Sequence, residues 1–213
     1  MTEETASRER PYVSDIVFSP AVKAVQARLG SRAGYARMEQ GKGWQSRVTP
    51  ELAAFIAERN SLYLATANAE GQPYIQHRGG AKGFLKVVDE QTLAFADLGG
   101  NRQYISLGNL SENDKASIFL MDYPNRRRIK LWGRARVVED DPELTARLTD
   151  PAGKGKPERA ILFEIEAWDV NRPQHITRRY SEADIEAAFG KLQARIGELE
   201  AEVARLGGAG GQS

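Results

Sequence analysis

The chain has 213 residues, 41% hydrophobic and 28% charged, with 30 Lys and Arg against 29 Asp and Glu for a net charge of +1. That size fits one ordinary domain with terminal additions, and the neutral balance argues against a dedicated nucleic-acid binder, whose domains carry a clear basic excess. The absence of cysteine excludes a disulfide scaffold and a thiolate metal site, and His77 and His175 are too few imidazoles for an ordinary zinc site, so no metal is expected.

Residues 1–10 are polar and lack the apolar centre of a signal peptide. No run is long and apolar enough to span a bilayer, so a soluble cytoplasmic protein is expected. Residues 1–18 read as a loose leader. Ser19-Pro20 is an N-cap followed by proline at the first helical position, with Ala21, Val22, Val25 and Leu29 at helical spacing and Gly30 ending the run. Residues 31–48 read as an irregular arm whose Arg32, Tyr35, Arg37 and Trp44 either cover a site or pack over the core. Together, 1–48 form an N-terminal helix and arm.

Thr49-Pro50-Glu51 opens a second helix with Leu52, Phe55 and Ile56 on one face. The period then changes from helix to strand. Strands are expected at 62–67 and 73–78, joined through Glu70-Gly71, and at 84–88 and 92–97, joined through 89–91. Between the pairs, Gly79-Gly80-Ala81-Lys82-Gly83 lacks the Gly-Lys-Ser/Thr of a Walker loop and reads as a place where backbone comes close to something. Further strands are expected at 116–121, 129–138 and 160–170, with a short helix at 140–148 and a flexible Gly/Lys/Pro loop at 151–157. In 129–138, Ile129, Leu131, Gly133, Ala135 and Val137 alternate with Lys130, Trp132, Arg134 and Arg136. About seven strands at short spacing suggest a closed or nearly closed antiparallel barrel over 49–180.

From Glu182 the pattern is helical. Ile185, Phe189, Leu192, Ile196, Leu199, Val203 and Leu206 alternate spacings of four and three, a coiled-coil seam of roughly three heptads over 181–206. Gly190 and Gly197 each weaken it as a lone helix by about 1 kcal/mol, so it needs a partner from this chain or a second one. Residues 207–213 are expected to be a disordered tail.

One turn carries chemistry. An apolar strand ending at Phe95-Ala96-Asp97 runs into Gly99-Gly100-Asn101-Arg102-Gln103 and an amphipathic segment with Tyr104, Ile105 and Leu107. Backbone N–H groups, a helix start and a planar guanidinium suit a phosphate, while the bland reading makes Lys86 and Arg102 surface charges. Arg126, Arg127 and Arg128 crowd a hairpin turn, and period two points Arg128 and Lys130 to one face. Trp44, Trp132 and Trp168 suit core packing or stacking, and His77 and His175 suit structural hydrogen bonding or acid–base work.

Phe84-Leu85-Lys86, Asp89-Glu90, Phe95, Gly100-Asn101-Arg102-Gln103 and Arg127-Arg128-Ile129-Lys130-Leu131-Trp132-Gly133 resemble the pyridoxamine 5'-phosphate oxidase family over roughly residues 50–140. Trp168, Arg172, His175 and Arg178 echo the family's C-terminal Trp and Arg-x-His-x-Arg pattern loosely. The arm over 15–44 is similar to that of related predicted flavin-nucleotide-binding proteins. The resemblance implies a mainly β protein with flanking helices, an antiparallel split β-barrel of the FMN-binding type, a C-terminal helix and a homodimer that binds the cofactor between subunits.

It also implies roles. Lys86 matches a strand lysine reaching the FMN phosphate, and Arg102 the arginine of a Ser-Arg-Lys clamp, with Asn101 and Gln103 in the places of Ser and Lys. Asp97 stands for a threonine beside the ring or ribityl chain, and Arg128 for a glutamine on the ring, with Lys130 beside it. Gln76, His77 and Arg78 compete for an arginine near the second strand, and Arg78 is taken. Trp168 and Arg178 complete the set. The substrate pattern is incomplete, so the flavin is carried over and pyridoxamine is not. The function expected is an FMN-dependent oxidoreductase with a small-molecule electron donor and acceptor, its catalytic residues unassigned. The alternatives are a non-catalytic flavin-binding protein, the same barrel holding F420 or haem, and an interaction module built on the C-terminal helix.

Overall fold

The computed structural model describes residues 10–150, 153, 155–171 and 173–209. The first nine residues of the expected leader, part of the 151–157 loop, Arg172 and residues 210–213 of the tail lie outside these. The chain separates into two compact units: the chain to Asp122 together with Arg127–Pro173, and Tyr123–Arg126 together with the chain from Gln174 on.

In the first unit, helices α1 (Pro20–Arg28), α2 (Arg32–Gln40) and α3 (Pro50–Ala57) precede strands β1 (Ser61–Ala67), β2 (Pro73–Gly79), β3 (Lys86–Val87) and β4 (Thr92–Leu98). Helix α4 (Ile105–Glu112), strands β5 (Lys115–Asp122) and β6 (Arg127–Val138), helix α5 (Pro142–Leu148) and strand β7 (Pro157–Asn171) follow. The seven strands form one antiparallel sheet in the order β2-β1-β5-β6-β7-β4-β3. This is the antiparallel split barrel expected from the sequence. One core draws Leu62 and Leu64 from β1, Ile118 and Leu120 from β5, Ile129 and Leu131 from β6, Phe163 and Ile165 from β7, and Leu93 and Phe95 from β4. Side chains from five neighbouring strands meet in one cluster because the sheet rolls around it.

Helix α3 closes that core with Leu52, Phe55 and Ile56. Its start is fixed by Thr49, whose Oγ1 accepts the Leu52 N–H at 3.3 Å. A smaller cluster of Ala94, Ala160 and Leu148 seats α5 on the outer face of β4 and β7. Strand β6 follows the expected alternation, with one irregularity against β7 between Trp132 and Gly133. A Cβ on Gly133 would run into the carbonyl oxygen of Glu164, so the close approach there requires glycine.

Four expectations change in this unit. The leader holds a 3-10 turn over Val13–Ile16, anchored by buried Ser14, whose hydroxyl donates to Glu39 Oε1 at 3.3 Å. The irregular arm contains α2, because Arg32 reaches both Glu39 and Gln26 and ties α2 to α1. The strand expected at 84–88 shrinks to Lys86–Val87: the Phe84 N–H turns back to Ala81 O and Leu85 inserts into the core. The last strand starts earlier, at Pro157. The glycine loop behaves as read, since the Gly80 and Gly83 N–H groups donate to Asn60 O and Arg59 O at 3.0 and 2.8 Å.

The arm packs over the sheet. Trp44 stacks on Trp132 with ring centroids 4.9 Å apart and planes 3° from parallel, and Phe18 lies against both Tyr35 and Trp44. Trp168 donates its backbone N–H to Gln45 O and its Nε1–H to Arg47 O, both at 2.8 Å.

In the second unit, α6 (Glu182–Ala209) is a single helix of 28 residues, so the first three residues of the expected disordered tail, 207–209, are helical instead. Ser181 and Asp184 cap its start reciprocally. Among the described residues, no helix is long and apolar enough to cross a membrane.

Candidate functional site

Strand β2 is a sheet edge, and its inward face is polar. Gln76 and Arg78 lie opposite Leu64 and Leu62 of β1, so they face the same side as the core at the open end of the barrel. Helix α4 settles against this end through polar bonds: Ser106 Oγ donates to Gln76 Oε1 and Asn109 Nδ2 donates to Thr66 Oγ1, each at 3.0 Å.

Facing them, Phe95 and Asp97 alternate inward along β4. Asp97 is buried and accepts from Arg78 Nη1 at 2.5 Å and from Arg159 Nη1 at 3.4 Å. Burial pushes the Asp97 carboxyl above its ordinary range, and the two guanidiniums offset part of that rise. Arg159 also holds Glu158 at 2.9 Å and lies 3.3 Å from the exposed Glu139. Its guanidinium sits 5.4 Å from the Tyr104 ring centroid.

Beyond Asp97 the strand kinks, and the Gly99 N–H bonds Lys156 O. Asn101 accepts the Gln103 N–H at 3.2 Å, a local turn. Arg102 and Tyr104 both adopt the left-handed backbone region, with φ of 60° and 55°. Two such residues in a row of three make a tight, sparsely populated turn of the kind found at ligand sites. It leaves Arg102 exposed, donating through Nε to the Tyr104 hydroxyl at 3.1 Å.

These groups line a cleft of about 240 Å³. Of the two half-buried arginines in its lining, Arg78 has a buried Nε–H without a hydrogen-bond acceptor, while Arg159 Nε lies 3.3 Å from the Glu139 carboxylate. An orphaned buried donor such as Arg78 Nε–H is costly unless an acceptor meets it. On the other side of Leu98, a second cavity of about 310 Å³ is lined by Gly79, Gly80, Phe84, Ala96 and Leu148.

Of the residues singled out from sequence, Arg78, Asp97, Asn101 and Arg102 come together in the cleft, and Gln103 belongs to the same turn. Lys86 is exposed and lies opposite Ala94, which puts it on the face turned away from Asp97. Arg128 and Lys130 are on the outer face of β6. The cleft is level with the far end of that strand, since Asp97 opposes Arg159 and Val138 opposes Ala160. The separation is roughly 26 Å for Lys130 and roughly 33 Å for Arg128 along the strand. Lys130 Nζ lies 3.8 Å from Asp169 and 5.1 Å from the Trp132 ring centroid. Burial lowers its pKa, partly opposed by Asp169 and reinforced by Arg128. Trp168 opposes Leu131 at that same end. Arg178 is exposed in the second unit. His77 is exposed with its ring edge-on to Tyr63. Among the described residues, no group of three His, Cys, Asp or Glu is placed to hold a metal.

Sequence reasoning missed Arg159, Glu158 and the Ser106–Gln76 and Asn109–Thr66 pairs. Arg159 had a signal: stepping back by twos from Ile165, Phe163 and Ile161 puts it on the core side.

A family model described as pyridoxamine 5'-phosphate oxidase matches residues 48–189. The pyridoxine/pyridoxamine 5'-phosphate oxidase of Bordetella petrii is 27% identical over 157 residues, covering 74% of this chain and 65% of that protein's length. Among solved structures, HupZ from Group A Streptococcus is similar with a TM-score of 0.48 and 18% identity, covering 62% of this chain and 99% of the other. An FMN-binding protein from Syntrophomonas wolfei is similar with a TM-score of 0.44 and 15% identity, covering 71% and 97%.

Proposed function

The chain belongs to the pyridoxamine 5'-phosphate oxidase family, and from that footing we infer that it is an FMN-binding flavoprotein whose phosphate seat is the cleft at the end of β4. The observation that carries the reading is the cationic lining of that cleft, the half-buried guanidiniums of Arg78 and Arg159 with a buried, acceptor-less Nε–H on Arg78, and Arg102 at the rim. A phosphate near neutral pH is an anion with several acceptor oxygens, and charge-assisted bonds from guanidiniums are the strong ones. Asp97 holds Arg78 and Arg159 in place, and the Asn101 turn sets Arg102. The glycine-lined apolar cavity beyond Leu98 offers room for a flat ring, with Lys86 on that face of the sheet.

Bound flavin would supply electron or hydride transfer from a reduced small-molecule donor to a small acceptor or oxygen. Trp168 packs against the core and is taken up by the arm, whereas Arg128 and Lys130, on the outer face at the opposite end of their own sheet, are placed by this reading on the cofactor of a second copy in a homodimer. There a cation would favour reduced, anionic flavin.

The test is a titration of purified protein with FMN and with riboflavin, followed by the flavin absorption spectrum. FMN binds more tightly, and Arg102→Ala weakens FMN by about 10- to 100-fold while leaving riboflavin unchanged. Equal affinity for the two flavins, or an Arg102→Ala variant that binds FMN normally, overturns the phosphate seat. Uptake of F420 or haem in parallel titrations, with no FMN bound, overturns the cofactor. Bound FMN that no reduced nicotinamide turns over assigns the protein to flavin binding without catalysis.

A further inference from the structure

The apolar residues of α6 are all on the outside. Ile185, Phe189, Leu192, Ile196, Leu199, Val203 and Leu206 are each between 43% and 68% exposed. They follow the repeat of about 3.5 residues that keeps one stripe facing a partner helix. A helix of this kind takes most of its stability from burying its stripe, and this one also carries Gly190 and Gly197 in its interior.

The residue types on the stripe are not interchangeable. With Leu192, Leu199 and Leu206 at the d positions, Ile196 and Val203 fall at a, while Phe189 takes the first a position and Ile185 the first d, so the pattern is carried by the last two heptads. β-Branched a residues over leucine d residues favour two strands running parallel. Charge agrees: Arg195 then falls at g and Glu200 at the following e, the two positions that meet across a parallel pair. In the single chain, Arg195 turns instead to Glu198 of its own helix at 2.8 Å. Gly190 and Gly197 both fall at b, away from the seam, and a Cβ on either meets nothing within 4 Å. The two glycines in the helix interior are thus on the outer face.

We propose that α6 is a self-association element that pairs in parallel with α6 of a second copy of this chain, Leu192 against Leu192 and Arg195 against Glu200 of the second copy. The reading does not depend on the flavin and holds whatever fills the cleft.

The chain has no cysteine, so any introduced thiol is unique. In the full-length protein, Leu192→Cys puts two thiols face to face in a parallel pair. An antiparallel pair in which Ile196 meets Leu199 instead sets Leu192 against Val203 and holds the two introduced thiols about 16 Å apart. Under mild oxidation at micromolar protein, Leu192→Cys forms a covalent dimer about a hundredfold faster than Ala194→Cys on the outer face, because the seam holds the thiols at millimolar effective concentration. Adding Ile196→Glu to Leu192→Cys removes that advantage. Crosslinking no faster than Ala194→Cys overturns the proposal. So does preferential crosslinking between Leu192→Cys and Val203→Cys chains in a mixture, which would assign the antiparallel arrangement.

Discussion

Because Asp97 sits buried between Arg78 and Arg159, its charge is held at a cost that the two guanidiniums only partly offset. A carboxyl whose folded pKa is raised binds its proton more tightly in the folded state. Its contribution is full below the ordinary value of 3.8 and is lost as pH rises from there through the raised pKa. Asparagine mimics the protonated form and does not titrate. The stability of the native chain minus that of Asp97→Asn should therefore fall as pH rises from about 3.5 toward neutrality. Urea denaturation of both chains across that range measures it, and a difference that rises with pH would show the guanidiniums outweighing burial. Part of this site was legible in the residue types. A glycine turn with Asn101 and Arg102 after an apolar strand reads as an anion seat on its own. Arg159 was not legible in that way: it reaches Asp97 from 62 residues further along, through strand register that no local pattern states.

At the level of elements, the pairing of β6 with β7 depends on one residue without a side chain. The irregularity at Trp132 and Gly133 brings the Glu164 carbonyl to where a Cβ would stand, and the obstruction is backbone in a central strand pair. Gly133→Ala is expected to cost about 1–3 kcal/mol or more, the penalty of overpacking a site that cannot relax. A lowered urea midpoint with an unchanged slope would show it, and an unaltered midpoint would mean that β7 shifts freely. Strand β6 was readable because its two faces differ in polarity over its whole length. The segment 84–88 departs from its sequence pattern for a converse reason. Its residues are apolar enough for a strand, but Leu85 is needed in the core beneath α3 and the backbone bends to deliver it. Helix α2 was missed because its helical order rests on polar ties, Arg32 to Gln26 and Glu39, rather than on an apolar stripe.

Across the molecule, the barrel has one main core rather than two half-cores, so a loss in the middle should be felt on every strand. Leu131 is fully buried there, and Leu131→Ala is expected to cost about 2–5 kcal/mol. Hydrogen exchange should then accelerate together in β1, β4, β5, β6 and β7. Acceleration confined to β6 and its immediate neighbours would show that the rolled sheet opens piecewise. The docked arm has a different consequence. Trp44 and Trp132 are stacked, Trp168 is bonded to Arg47, and these are the chain's three tryptophans. All its indole emission therefore originates where the arm meets the sheet, and none of it from the lining of the arginine cleft. With a colourless anion such as inorganic phosphate, a change in that emission reports the arm lifting or settling. A ligand confined to the cleft leaves the spectrum still, so one cuvette measurement distinguishes the two events.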